Sequence, residues 1–484
     1  MSSQNKQSKS LQSGSGTVTK QTLLQQARGS MVNIEKLTEE NFEAVSEKGF
    51  SFERAKEIFE GSGLDIEKVI IDPTRFIYNV YYADYENGVY LDLHLSEEML
   101  LNEHIGLRAM EKQKEHCREI MKAKEWSSFY FIIVPGPLRI YDFQQRYKDI
   151  EPEKVYEVWE GIHKNLDYEN GQWRDDVLDY VFQYAPKPEN LPINENGMVT
   201  VYRGSGSLSQ APERALSWST SQQNALWFAN HNGFGQALFV GEVDPKDVVN
   251  YLAGFQNENE VIVRRGAVKN IRAANMIPIE EKTVVKLFTS AIPELLKYGP
   301  CVKELGYQSE GIFSFHGRSH ILRVLMLSLI YFYNSGEDLS ERDKNILIYF
   351  SLLHDVGRDN EDRDDSHGQK SVKKIESEKL LIPGLELNKK DLKIAHLLIR
   401  CHSISDDEGR EEIIRRRKKF SGEDYYRLVR LLNITKDMDG LDRVRFNGLD
   451  INQLRTDYGK QLPLIAGRLL SEKLEWFIFE NQGK

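Results

Sequence analysis

Apolar and polar residues alternate in FIYNVYYAD (76–84) and GVYLDLHL (88–95), with Asn87-Gly88 between them. Alternation across such a dipeptide predicts two antiparallel strands joined by a tight turn, because Asn and Gly accept the positive φ that this turn needs. A helical pattern follows over about 96–124. SSFYFIIV (127–134) and LRIYDF (138–143) flank Pro135-Gly136-Pro137 and read as a second strand–turn–strand. Residues 151–185 are patterned as helix and contain Trp159 and Trp173. APKPENLPINENG (185–197) then breaks the chain, and strands are expected over about 198–274. From about Lys282 the pattern is helical almost to the end. The longest apolar run, Val324–Tyr333, spans only half a bilayer and reads as a buried helix. No internal repeat is evident.

Composition adds limits. A chain of 484 residues exceeds one ordinary domain. Residues 1–32 are rich in Ser, Gln, Lys and Gly and read as a flexible tail. The remaining divisions are a 33–144 region of mixed α/β pattern and unknown role, a 145–281 domain and a helical 282–484 domain. The 64 basic and 74 acidic residues leave a charge of −10, which disfavours bulk coating of nucleic acid but permits a local basic groove. Cys117, Cys301 and Cys401 form no CxxC pair, so a disulfide framework is not expected and a reducing compartment fits. The N-terminus has no apolar secretory core, and no membrane insertion is expected. The expectation is a cytoplasmic protein, with signal-less export left open.

Two groups of residues carry chemistry. The first runs along the strand-rich segment. MVTVYRG (198–204) ends in Arg203 and Gly204, and an arginine at a strand end can present its planar fork to a phosphate. SWSTS (217–221) offers hydroxyls. QNENEVIV (256–263) sets Glu258 and Glu260 two apart, which on an extended chain places both on one side. The order of these pieces resembles the mono-ADP-ribosyltransferase family, which carries an arginine on a first strand, an S-x-S/T strand start and an E-x-E or Q-x-E turn. The resemblance covers about Val201–Val263 and implies an α+β fold binding NAD through Arg203, Gly204, Ser217, Ser219 and Glu260. It gives Glu260 the stabilisation of the oxocarbenium ion formed as nicotinamide leaves. Ser217 would fix Glu260, Arg203 would grip phosphate or ribose, and Glu258 would orient the attacking group of a protein or nucleic-acid acceptor. The plainer alternative is a surface ion pair for Arg203 and ordinary turns for SWSTS and ENE. Trp227 and Phe228 read as core.

The second group is a concentration of histidine. Six of the 11 histidines (His316, His320, His354, His367, His396 and His402) lie within 316–402, under a fifth of the chain. Imidazoles gathered on helices suggest a metal site inside a bundle. FHGRSHILRVLML, YFSLLHDVGRDN and NITKDMDGLDRVRF supply them together with Asp355, Asp437, Asp439 and Asp442. This order of H, HD and D resembles the HD superfamily of metal-dependent phosphohydrolases over about Gly311–Phe446. By that resemblance the metal ligands are His320, His354, Asp355 and Asp439, with His367 and His402 serving a second ion. His316 is a further ligand or a phosphate contact, while His396 reads as a core histidine. A thiolate-free shell suits Mn, Fe, Mg, Ni, Co or Zn, one or two ions, and the residues do not choose among them. Such ions activate water and hold a phosphoryl oxygen of a phosphate-containing substrate. Arg323 and Arg358 are open between phosphate contact and ion pair with nearby acids. RRRKK (415–419) reads as a solvated face, with an anion-docking patch as the alternative.

The expectation is therefore a multidomain chain, with an α+β ADP-ribosyltransferase-like domain followed by an all-α HD-type helical domain. Two other readings remain. One is an HD-type nucleotide phosphohydrolase whose first domain is a non-catalytic binding module; the other is a toxin or host-directed effector.

Overall fold

The computed structural model describes residues 29–102, 104, 106–107, 110–166, 169–206, 209–231, 235–253, 259–307, 317–359, 362, 364–446 and 448–480. The expected tail, Glu258 and His316 lie almost wholly or wholly outside them. The fold is mixed α+β with two antiparallel sheets, and the contacts divide it into two compact units at Pro186/Lys187.

The first unit holds a four-stranded antiparallel sheet in the order β1 (Glu35–Lys36), β2 (Val69–Ile71), β3 (Val80–Asp84) and β4 (Val89–Asp92), with helix α1 (Phe52–Gly61) between the first two strands. β3 and β4 form the expected hairpin, turning through Gly88 at φ +63°. The expected single helix over 96–124 is broken. A turn at Glu97–Leu100 precedes helix α2 (Met110–Ala123). Asn102 Oδ1 accepts from His104 N at 2.9 Å, and this local bond competes with continuing the helix.

The second expected strand pair is helical. Phe129–Ile133 makes one wide helical turn, and α3 covers Arg139–Arg146. Short apolar runs do not distinguish a covered strand from a buried helix. The discriminating signal is Asp142 and Arg146 at i and i+4, which meet only on a helix and are paired at 2.8 Å. Arg146 also donates to Tyr85 O at 2.8 Å, while Asp142 accepts from Tyr90 Oη, so this buried pair ties α3 to the hairpin. Helices α4 (Pro152–Lys164) and α5 (Asp175–Val181) belong to this unit rather than to the following sheet. The reason is aromatic: Trp173 packs on Phe143 and Trp159, drawing α4 and the segment before α5 onto α3.

The second unit opens with a six-stranded antiparallel sheet. Its order is β10-β7-β5-β6-β9-β8, with β5 (Val199–Gly206), β6 (Ser217–Ser219), β7 (Gly235–Val243), β8 (Val248–Leu252), β9 (Glu260–Val263) and β10 (Lys269–Ala273). Val199, Val201, Trp218, Val243, Val261 and Val263 form a core on this sheet. Helix α6 (Gln222–His231) packs against β5. Among the described residues nine further helices follow: α7 (Glu281–Tyr298), α8 (Arg318–Asn334), α9 (Glu341–Leu353), α10 (His367–Glu378), α11 (Lys389–His402), α12 (Asp406–Arg416), α13 (Gly422–Leu441), α14 (Pro463–Ser471) and α15 (Leu474–Glu480). RRRKK lies at the end of α12 and the short turn after it, with Arg415 and Lys419 exposed.

The change from strand to helix near 281 is real, but it is not a division of the fold. Ala225, Leu226 and Ala229 of α6 and Leu238 of β7 share one continuous core with α7–α15. Gly467 of α14 leaves room for Asn230, since a Cβ there would lie 2.2 Å from Asn230 Nδ2. Ile277 N also donates to Gln461 O at 2.8 Å. Sheet and helices are therefore one folding body.

Removing one member of the Asp142–Arg146 pair leaves a buried charge uncompensated, which costs about 3–5 kcal/mol. Asp142→Ala should lower the unfolding free energy followed by denaturant titration by that amount, whereas breaking the exposed Arg174–Asp176 pair with Asp176→Ala should leave the midpoint nearly unchanged. Equal effects would contradict the anchoring role.

Candidate functional site

The candidate metal centre is built where helices end. His320 sits in the first turn of α8, His354 and Asp355 follow the end of α9, His367 opens α10, His402 closes α11, and Asp439 lies in the last turn of α13. Small residues bring these ends together. Ser351 Oγ of α9 donates to Ser328 Oγ of α8 at 2.9 Å, both fully buried. A Cβ on Gly368 would lie 2.3 Å from Ile399 O, so only glycine lets the start of α10 close on α11.

The result is two adjoining donor sets. His320 Nε2 and His354 Nε2 stand 3.2 Å apart, and Asp439 Oδ1 is 3.4 Å from the first and 3.6 Å from the second. Asp355 Oδ2 lies 3.6 Å from His320 Nε2. On the other side, His367 Nε2 and His402 Nε2 are 2.8 Å apart, with Asp355 Oδ1 3.1 Å from the first and 3.5 Å from the second. Asp355 thus offers one oxygen to each set. The groups His320–His354–Asp439 and His354–Asp355–His402 each have the donor spacing of a cation site.

Proton placement sharpens the argument. His354 Nδ1 donates to Ser351 O at 3.1 Å, His402 Nδ1 donates to Ile399 O at 2.7 Å, and His367 Nδ1 donates to Asp364 O. His320 Nδ1 donates to Asp442 Oδ2 at 2.7 Å. Each outward nitrogen meets an oxygen that can only accept, so each carries the proton and each Nε2 turns a lone pair inward. Lone pairs facing one another need a cation or a proton between them. Burial and Arg445 oppose charge on His320, yet Asp355, Asp439 and Asp442 outweigh them and raise its pKa to about 9. Burial would raise Asp439, but His320 and His354 hold it well below the ordinary carboxylate range.

Of the expected ligands, His320, His354, Asp355, Asp439, His367 and His402 converge. Asp437 does not: its carboxylate accepts from Arg455 N at 2.9 Å and Thr456 N at 2.7 Å, pinning the turn before α14. His396 bonds Tyr349 Oη at 3.2 Å and faces Glu376, remote from the cluster. Arg323 and Arg358 both pair with acids. Arg323 Nη2 donates to Asp442 Oδ2 at 2.9 Å, and Arg358 Nε lies 3.2 Å from Asp355 Oδ2. The residue missed as a positioning group is Asp442, which holds His320, Arg323 and Arg445. Its signal is its place three after Asp439, one helical turn on along the same chain end.

On the sheet, Ser219 stands directly opposite Glu260, and Ser217 stands opposite Ile262. Opposite and alternate residues share a face, so Ser217, Ser219 and Glu260 lie together. Ser219, rather than Ser217, is the one across from Glu260. Arg203 reaches this strand by donating Nη1 to Ser217 O at 2.6 Å, while its buried Nε has no acceptor among the described residues. Burial lowers the Arg203 pKa to about 10, with Glu260 opposing the shift. Three expectations change. Gly204 is buried beneath α6, where a Cβ would lie 1.9 Å from Ala225 O, so helix packing accounts for this glycine. Asn259 has φ +49°, so the chain is not extended between Glu258 and Glu260 and the same-side argument for that pair fails. Trp227 is exposed, packing edge-on against Phe228, rather than core.

No protein-family model matches the chain, and no curated protein or solved structure is significantly similar to it.

Elemental analysis should find transition metal bound to the purified protein. Asp355→Ala, which touches both donor sets, should lose more metal than Asp439→Ala or His402→Ala, each of which touches one. Equal losses in all three would refute the shared role. The raised His320 pKa adds a pH signature. In metal-free protein its stabilisation is complete below the unfolded value of about 6.5 and is lost as pH rises through about 9. Chelated protein should therefore lose melting temperature across that interval and metal-loaded protein should not, as followed by calorimetry.

Proposed function

We propose that the Asp355-centred cluster is a divalent-metal centre that hydrolyses phosphoester or pyrophosphate bonds, in keeping with the resemblance to HD phosphohydrolases. The observation that carries this is the inward convergence of four imidazole lone pairs on the two oxygens of one buried aspartate. His320, His354, Asp355 and Asp439 would hold one ion, and His367, His402 and Asp355 a second. Bound there, such ions supply an acidified water and charge neutralisation at phosphorus. The chain's own groups do the positioning. Asp442, gripped by Arg323 and Arg445, keeps His320 in the tautomer that presents Nε2. Arg358 sits beside Asp355 and offers positive charge to the phosphoryl group.

A second activity, ADP-ribosyl transfer from NAD to a protein or nucleic-acid acceptor, is supported by one specific feature. The buried Nε–H of Arg203 lacks an acceptor among the described residues and lies by the strand bearing Ser217, opposite β9, which begins at Glu260. A pyrophosphate oxygen would satisfy that donor. Glu260 would then stabilise positive charge developing on the ribose, and Ser219 is placed to orient it. A non-catalytic NAD-binding module and a toxin or effector role are the other outcomes of the same test.

Bis(p-nitrophenyl) phosphate and inorganic pyrophosphate serve as probes of the metal centre. Hydrolysis of at least one should require added Mn²⁺, Co²⁺ or Ni²⁺, disappear with chelator and fall at least about 100-fold in Asp355→Ala. Retention of activity in that variant would reject the centre. Nicotinamide release from NAD should fall by about 100-fold or more in Glu260→Gln. An unchanged rate would leave the sheet as a binding module.

A further inference from the structure

Beside the metal centre lies an open cavity of about 410 Å³, lined by Gly306, Val356, Gly357, Arg358, Asp359, Lys370, Lys373, Lys374, Ser377 and Glu378. Four of these side chains are cationic and two acidic. None is aromatic, and Val356 is the single apolar side chain among the described lining residues. The position relative to the ligands is set by α10. His367 is the first residue of that helix, and Lys370, Lys373, Lys374 and Ser377 follow at +3, +6, +7 and +10, a spacing that keeps them on one face. The cationic row therefore starts one turn from a metal ligand and runs about 10 Å along the helix by Lys374. At its inner end Arg358 joins the cavity to Asp355, with Nε 3.2 Å from Oδ2.

The row is held in place. A Cβ on Gly357 would lie 2.3 Å from Ser371 N, and Gly357 N donates to Ser371 Oγ at 3.0 Å, so the end of α9 is pressed onto α10. Lys370 is committed to Asp359 and Asp364, at 2.6 and 2.9 Å. Lys374 Nζ donates to Gly306 O at 3.1 Å, a neutral partner, and among the described residues no carboxylate pairs with it. Lys373 is exposed on the same face.

We propose that this cavity is a subsite for the distal phosphates of an inorganic oligophosphate whose terminal phosphoryl group lies at the metal centre. The proposal rests on the phosphohydrolase reading and names its substrate class. A line of cations leading away from the metal ligands matches a ligand whose negative charge continues along its length. No aromatic side chain stands among the described lining residues, which disfavours a nucleoside at the far end, because a base there would find none of them to stack on.

The test is calorimetric binding of tripolyphosphate and of orthophosphate to the full-length, Mn²⁺-loaded protein, with ATP as a third ligand. Lys373→Glu should weaken tripolyphosphate by roughly 5–10-fold and Ser377→Lys should tighten it by a similar factor, as expected for one partly screened charge. Orthophosphate affinity should be unchanged in both variants. Because misfolding cannot tighten binding, the second variant separates a local effect from loss of structure. Equal tripolyphosphate affinity in wild type and both variants would overturn the proposal, as would ATP binding more tightly than tripolyphosphate. Hydrolysis of bis(p-nitrophenyl) phosphate, measured in parallel, reports on the metal centre alone, so failure of the subsite and failure of the phosphohydrolase reading give different results.

Discussion

Four imidazoles whose outward nitrogens are already committed to oxygen acceptors impose one constraint on the C-terminal half of the second unit. Their inner lone pairs must share positive charge with Asp355, or the cluster repels itself. Seen this way, the helix ends have a common purpose. Small residues at the contacts, Ser328 with Ser351 and Gly368 against Ile399, set the separation at which the donors meet. Asp442 acts on the cluster from outside it, through the orientation of one ring. The apolar shell of α8, α9 and α13 keeps competing water from the His320 and His354 rings, which strengthens the electrostatic contacts they make, while Asp439 stays partly exposed.

Much of this was legible in the residues, for identifiable reasons. The hairpin at Asn87-Gly88 carries its own turn chemistry, and the helix over 324–333, buried through Tyr331, is a stretch apolar but for Ser328 within helix-patterned sequence. The six convergent ligands stand out because His and Asp rarely cluster on apolar helices without work to do. What failed were readings that depended on context. The 127–143 segment is apolar without a period, and only the Asp142–Arg146 spacing marks it as helix. The Glu258–Glu260 pair was judged on an extended chain, while a single left-handed Asn259 sets the actual path. The grouping of α4 and α5 was invisible because it depends on which distant aromatics Trp159 and Trp173 meet.

The candidate NAD-binding strands and the metal centre rest on different kinds of support. At the metal centre, proton placement, burial and spacing agree. On the sheet, the register brings Ser217, Ser219 and Glu260 together, but the argument from Arg203 depends on one unsatisfied donor. Gly204 shows why motif residues need geometry: an expected ligand contact is accounted for as the seat of α6.

That seat has an evolutionary side. Because α6 and α14 interlock through Asn230 and Gly467, severing the chain near residue 281 would bare oily surface on both fragments. Neither half can be shuffled by recombination as a self-sufficient cassette, so the strands and the helices must be inherited together.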